Sequence, residues 1–353
     1  MKTVLSSAGT ALIWIFCLLA GTISGSSQEP ACYPAPLFQS DNPLPLTLTM
    51  NFREVLRDVG DETSQHQATI SYPGPVGEPV TLPVKVKTRG HFRMNPMNCS
   101  FPPLRLNFTH EEVVNTLFEG QDKLKLVTHC RSRNDRYEQG VLKEYLAYRL
   151  YNLFTDYSYR VRLVEMHYID SKASNDTLVK MGFLIEPTEQ MIARNACNQV
   201  EIKNVRQGDC DPASIILLSV FQYMIGNTDW SVPALHNILL VQEHTGDPPV
   251  PVPFDFDWSG LVDASYAVPA EILGISDVKT RLYRGLCRSE EEYERALEEF
   301  LVREDEIFNA IRSVPHLDEK DMESTVRYME KFFKTIHNPR KIKAELQRDC
   351  RTE

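Results

Sequence analysis

Apolar and polar residues alternate in seven short stretches of the first half of the chain, and recur at helical spacing through much of the second. Alternation predicts strands over Leu46–Asn51, Ala68–Tyr72, Thr81–Thr88, Leu104–Phe108, Lys123–Thr128, Arg160–Ile169 and Leu178–Glu186. The second and third flank PGPVGEP, a hairpin signal, and the last two are joined by the polar loop SKASNDT. Between the fifth and sixth, Val141, Leu142, Tyr145, Leu146, Leu150 and Leu153 share one face of a helix expected over Gly140–Phe154. Pro212–Ile225 is apolar and helical, and two short strands follow it. From Asp277 the pattern is helical: Ser289 and Glu292 form a capping box ahead of Tyr293–Ile311, followed by Met322–Ile336 and Pro339–Gln347. The EEEYERALEEF and RYMEKFFKTI helices read as amphipathic packing with solvated outer faces.

Composition narrows the setting. Residues 1–27 carry Lys2, the apolar run ALIWIFCLLA and then small residues, the layout of a secretory signal peptide. That run is shorter than the roughly 20 apolar residues a membrane span needs, and no later stretch is long and apolar enough. Residues 28–45, rich in proline and polar residues, read as a linker ahead of one domain over 46–353. The net charge of −10, with Lys and Arg scattered, argues against a nucleic-acid partner. Beyond Cys17 the cysteines are Cys32, Cys99, Cys130, Cys197, Cys210, Cys287 and Cys350, with no CxxC pair to suggest zinc. In an oxidising compartment disulfides are expected, with Cys99–Cys130 and Cys197–Cys210 as candidates. Sequons stand at Asn98, Asn107 and Asn175.

The chemistry concentrates between Gly226 and Gly260, in GNTDW, LHNILLV and PFDFDWSG. Phosphoryl transfer needs a carboxylate beside the acceptor hydroxyl, then an Asn and an Asp that hold magnesium against the phosphates. Asp229, Asn237 and Asp255 stand in that order, and Asp257 is a further candidate ligand. Asp255 follows the apolar VPF, so its carboxylate needs a cation or donors at the end of a buried strand. Asp229 is the expected base, Asn237 a metal ligand, and His236 reads as structural. Lys125, in KLKLV, and Glu144, nineteen residues later on a helix, are the expected ion pair on the phosphates. Lys123 and Arg105 are substitutes for the lysine. Arg89, beside Gly90, is a candidate phosphate contact, and Glu186 marks the link whose backbone would meet adenine.

The order of these motifs resembles the spore-coat kinase CotH family. TRGHFR is similar to that family's Arg-Gly-Asn turn, with His91 in place of Asn. PPLRLNF, LFEGQDKLKLVTHC, VLKEYLAYRLYNLF, VEMHYID and MGFLIEPTEQMIARN follow in the family's order, and GNTDW, LHNILL and FDFDWSG complete the set over roughly residues 85–264. Asn237 lies eight residues beyond Asp229 where ordinary kinases use five, and no GxGxxG loop is present. The resemblance implies an α+β, two-lobed, atypical protein-kinase-like fold, with a β-rich lobe over about 46–190 and a helical lobe over about 191–353. It also implies ATP with Mg2+ or Mn2+, and transfer to a Ser or Thr of a protein acceptor outside the cytoplasm. The alternatives are a secreted binding protein without catalysis, and an adenylyl transferase using the same site.

Overall fold

The computed structural model describes residues 35–60, 62–173, 177–348 and 350–352. The expected signal peptide, the first part of the linker, Cys17, Cys32 and Asn175 lie outside them. Strands β1 (Leu44–Met50), β2 (His66–Pro73), β3 (Pro79–Thr88), β4 (Leu104–Asn107), β5 (Lys123–Val127), β6 (Val161–Asp170) and β7 (Thr177–Ile185) form a closed barrel. Its order is β1-β2-β3-β4-β5-β7-β6. Neighbours are antiparallel except β1 and β6, which run parallel and complete the ring. Period-two patterning explains its interior. Leu82, Val84, Val86, Leu104, Leu106, Leu124 and Leu126 point inward and are buried, while Lys85, Lys87, Arg105 and Lys125 alternate with them on the outside.

Nine α-helices occur among the described residues: α1 (Phe52–Arg57), α2 (His110–Val113), α3 (Asp135–Asn152), α4 (Thr188–Arg194), α5 (Pro212–Ile225), α6 (Glu290–Leu301), α7 (Glu304–Arg312), α8 (Glu319–Ile336) and α9 (Pro339–Ile342). A second sheet, ordered β10-β9-β8, comprises β8 (Asn198–Gln199), β9 (Ile238–Gln242) and β10 (Val250–Pro253). Pro251 and Pro253 are tolerated because β10 is an edge strand.

The expected two-lobed kinase-like fold is not what the chain adopts. The seven strands close on themselves into a mixed barrel instead of leaving a β-rich lobe hinged to a helical one. The reason lies in α3, which is buried around most of its circumference, including Gln139, Lys143 and Glu144. It sits in one continuous apolar core that joins Leu163, Phe183 and Ile185 of the barrel wall to Phe221, Phe256, Phe300 and Phe332 of the later elements.

Several boundaries also move. Leu37 and Phe38, expected in a linker, are buried against the barrel core. The capping box on Ser289 and Glu292 forms, but the helix it starts ends at Leu301 and a new one begins at Glu304. Arg303 at the break donates to the Leu153 carbonyl at the end of α3.

Cys99 and Cys130 are bridged as expected, and Cys287 joins Cys350. Cys197 and Cys210 do not pair with each other, because they belong to separate core clusters, one around α3 and the other around Trp230. The two disulfides seen among the described residues are compatible with an extracytoplasmic protein. Among the described residues no helix is long and apolar enough to cross a membrane.

Candidate functional site

Helix α5 ends at Gly226, whose φ of 65° turns the chain back over its last turn. In the next residues the Asn227 side chain accepts from the Asp229 amide, and Arg284 donates to the carbonyls of Thr228 and Trp230 on either side of Asp229. A bridge between Ser231 and His236 folds the following loop back on Asp229. His236 Nε2 lies 2.8 Å from Asp229 Oδ1, and Asn237 Nδ2 donates to Asp229 Oδ2 at 3.0 Å and to its carbonyl at 2.8 Å. Because its nitrogen is engaged, the amide oxygen of Asn237 is left for another partner.

Asn237 precedes β9 and Asp255 follows β10. The two strands are antiparallel, with Ile238 opposite Pro253, so both residues emerge at the same end of the ladder. Both hold left-handed backbone angles, φ 53° and 60°, a conformation that Asn and Asp tolerate better than other residues with a Cβ. Tyr148 of α3 fixes the second, its hydroxyl accepting from the Asp255 amide at 2.9 Å. The Asp255 carboxylate is exposed, and Asp257, two residues on, is only 6% exposed.

The opposite wall comes from the loop after β3. Arg89, Gly90, His91, Phe92 and Arg93 face Asp229, His236, Asn237, Asp255 and Asp257 across a pocket of about 360 Å³. That loop is pinned from behind. The Cys99–Cys130 disulfide ties it to the end of β5, Arg131 donates to the carbonyls of Met97 and Asn98, and Asn98 Nδ2 donates to the Phe92 carbonyl. Phe92 also packs edge-on against Trp258 and beside Tyr266, each with ring centroids 5.5 Å apart.

Asp229, Asn237, Asp255, Asp257 and Arg89 therefore converge, whereas other expected relations do not form. Lys125 and Glu144 are not an ion pair. Lys125 lies on the outer face of β5, 5.8 Å from the Phe254 ring centre, with Arg89, Asp255, Arg105 and Glu189 as its charged neighbours. Glu144, 2% exposed, faces Asp257, Arg93, Asp255 and Arg89, and its Oε1 has no hydrogen-bond partner among the described residues. Burial, helped by Asp257, pushes its carboxyl well above the usual range.

Glu186 is not a free nucleotide contact. Its side chain is sealed, Arg194 grips both carboxylate oxygens at 3.1 and 3.0 Å, and its amide donates to the Arg160 carbonyl. Arg105 lines a different pocket, described below. The PGPVGEP turn joins β2 to β3 at the end opposite Arg89, a full strand of ten residues away, on the order of 30 Å. It does not cover this pocket.

The structure adds residues that the sequence reading did not select. His236 is a partner of Asp229 in the pocket wall, and Arg93 lies 3.9 Å from Asp257, which also accepts from the Tyr266 hydroxyl at 2.8 Å. Arg93 stands in the TRGHFR segment already singled out. Tyr148 and Tyr266 carry no local signal, since their roles depend on distant packing.

Burial first, then Asp255, raises the Asp257 carboxyl to about 6, against the pull of Arg93. The folded state thus holds this proton more tightly than the unfolded one. The associated stability is full below about pH 4 and is lost as pH rises through 6, on the order of 2–3 kcal/mol. Asp257→Asn, which keeps an acceptor for Tyr266, should remove this pH-dependent loss. Urea unfolding of both proteins at pH 4.5 and 7.5 reads the difference.

Asp229, Asp255 and Asp257 line one wall of the pocket, the first two open to solvent and the third buried, a grouping of carboxylates that a divalent cation could share. Among the described residues no three His, Cys, Asp or Glu side chains already form a metal cage. Neither a known protein family nor a curated protein matches this chain.

Proposed function

We propose that the chain is an exported phosphotransferase acting on a magnesium nucleotide, ATP in the first instance, with a protein hydroxyl as acceptor. The observation that carries this reading is the division of one pocket into a carboxylate wall, Asp229, Asp255 and Asp257, and an arginine wall, Arg89 and Arg93. Phosphoryl transfer asks for both, since the anionic phosphates and their cation must be held together. The motif order shared with the CotH family supports the same chemistry, without the fold that family implies.

Asp255, Asp257 and the amide oxygen of Asn237 would hold Mg2+ or Mn2+. The bound ion would neutralise charge on the phosphates and on the leaving oxygen. Lys125 and Arg89 hold the phosphates, and the half-buried ring of Phe254 beside Lys125 offers a face for the base. Asp229, aligned by His236 and Asn237, accepts the acceptor's hydroxyl proton. Glu144 and Arg93 lie behind Asp257 and serve its position.

Calorimetric titration with a non-hydrolysable ATP analogue tests the reading. Binding should require magnesium and weaken at least about tenfold in Lys125→Ala, the loss of one charge-assisted contact. Magnesium-independent binding, or none, would contradict it.

A further inference from the structure

A second pocket, about 530 Å³, opens on the other side of the Arg89–His91 turn. Its floor is the outer face of the barrel. The register sets Lys87 opposite Arg105 and Arg105 opposite Lys125, so three cations stand side by side on β3, β4 and β5. Like charges placed directly opposite in a sheet destabilise it. Among the described residues Lys87 and Arg105 make no ion pair, and no Asp or Glu lines this pocket. The nearby Asp58 is occupied by His66 at 2.7 Å and by the Ser64 amide at 2.8 Å.

The guanidinium Nε atoms of Arg89 and Arg105 are both shut off from solvent without a hydrogen-bond partner among the described residues. Burial lowers the Arg89 guanidinium pKa, an effect that Asp255 opposes from the other side of the turn and Arg93 adds to. In a chain of net charge −10, such a concentration of unmatched donors is a cost that a bound anion would offset. Thr63 and Thr88 line the same pocket. Their hydroxyls donate to the carbonyls of Thr88 and Asp58 and remain able to accept, which leaves the cations as the donors a ligand would meet.

We infer that this pocket is an oxyanion site that takes a phosphate or sulfate group, and that the group is carried by the acceptor. The assignment to the acceptor rests on the phosphotransfer reading, in which the nucleotide's phosphates lie on the Asp255 side of the turn. Arg89 and His91 line both pockets, so an acceptor anchored in one reaches the other by crossing a single turn.

Titration of the full chain with inorganic pyrophosphate, and separately with sulfate, in EDTA tests this. Pyrophosphate should bind without magnesium, and Lys87→Ala combined with Arg105→Ala should weaken it at least about 30-fold. The double variant should melt no lower than the parent, because repulsion is relieved. Asp255→Asn should not weaken the affinity, because that carboxylate is the foremost charge partner of Arg89 and its removal leaves the guanidinium freer for an anion.

Saturation with magnesium and ATP should leave pyrophosphate binding intact. No binding to the parent, equal binding to the double variant, or displacement by the nucleotide would each overturn the assignment. If the nucleotide itself never binds while pyrophosphate still does, and the double variant loses it, the phosphotransfer reading falls and the oxyanion site stands. Tighter binding of sulfate than of inorganic phosphate, compared at pH 8 where both are dianions, would identify a sulfated acceptor, and the reverse a phosphorylated one.

Discussion

Asp255→Asn is expected to abolish magnesium-dependent nucleotide binding and to lower phosphoryl transfer by roughly 10²–10³-fold, the scale for losing a charge aimed at the reacting group. It should do so without harming the fold. Asparagine accepts the left-handed φ of 60° that the turn imposes, and the backbone bond to Tyr148 does not depend on the side chain. The carboxylate it removes repels Asp257 and Glu144 but attracts Lys125 and Arg89, so its loss relieves repulsion and gives up attraction together. The melting temperature should therefore stay close to that of the parent. A melt followed by circular dichroism, beside a transfer assay, separates the two effects. A clear fall in melting temperature would mean that Asp255 supports the structure instead.

Arg194→Ala should have the largest effect on stability. Its guanidinium is 6% exposed, holds both oxygens of the fully buried Glu186 and donates to the carbonyls of Asp156 and Ser158. Removing it strands a charge in the interior, a loss of about 3–5 kcal/mol. A lysine at this position would not rescue it, because the bidentate grip needs a planar fork. Glu186→Leu combined with Arg194→Met should recover much of the loss, since packed apolar groups can replace a buried pair. The double variant should also retain nucleotide binding, because Glu186 serves the barrel's edge and not the pocket. Urea unfolding gives the first comparison and calorimetry the second.

The barrel's strands were legible where apolar and polar residues alternate, as in Leu82, Val84 and Val86 against Lys85 and Lys87, and in β6 and β7 as apolar runs of strand length. Its closure was not. The parallel pairing of β1 with β6 sets Leu44 opposite Val164 and Met50 opposite Asp170, and no local pattern records so distant a register. Helix α3 misled for a similar reason. Its apolar stripe suggested one buried face, but Gln139 is covered by the segment before α8, Lys143 pairs with Asp321 of α8, and Glu144 is buried against Arg93 and Asp257.

Within the candidate site, the Asp–Asn–Asp order at the ends of short apolar strands made Asp229, Asn237 and Asp255 visible, and the antiparallel β9–β10 ladder brings the last two to one end. The sequence singles out Glu186 for its backbone at the expected link, and its amide is already spent on the Arg160 carbonyl, a pairing across the strand that no local pattern announces. The Lys125–Glu144 pair did not form because Lys125 stands on the outer face of β5 beside Phe254 while Glu144 is buried against Asp257 and Arg93, a separation that spacing along the chain does not record.

The most direct test is incubation of the purified protein with magnesium and ATP labelled at either the γ- or the α-phosphate, beside Asp255→Asn. Transfer of γ-label to protein, absent from the variant, is the predicted result. Label arriving only from the α-position, or γ-transfer undiminished in Asp255→Asn, would contradict the account.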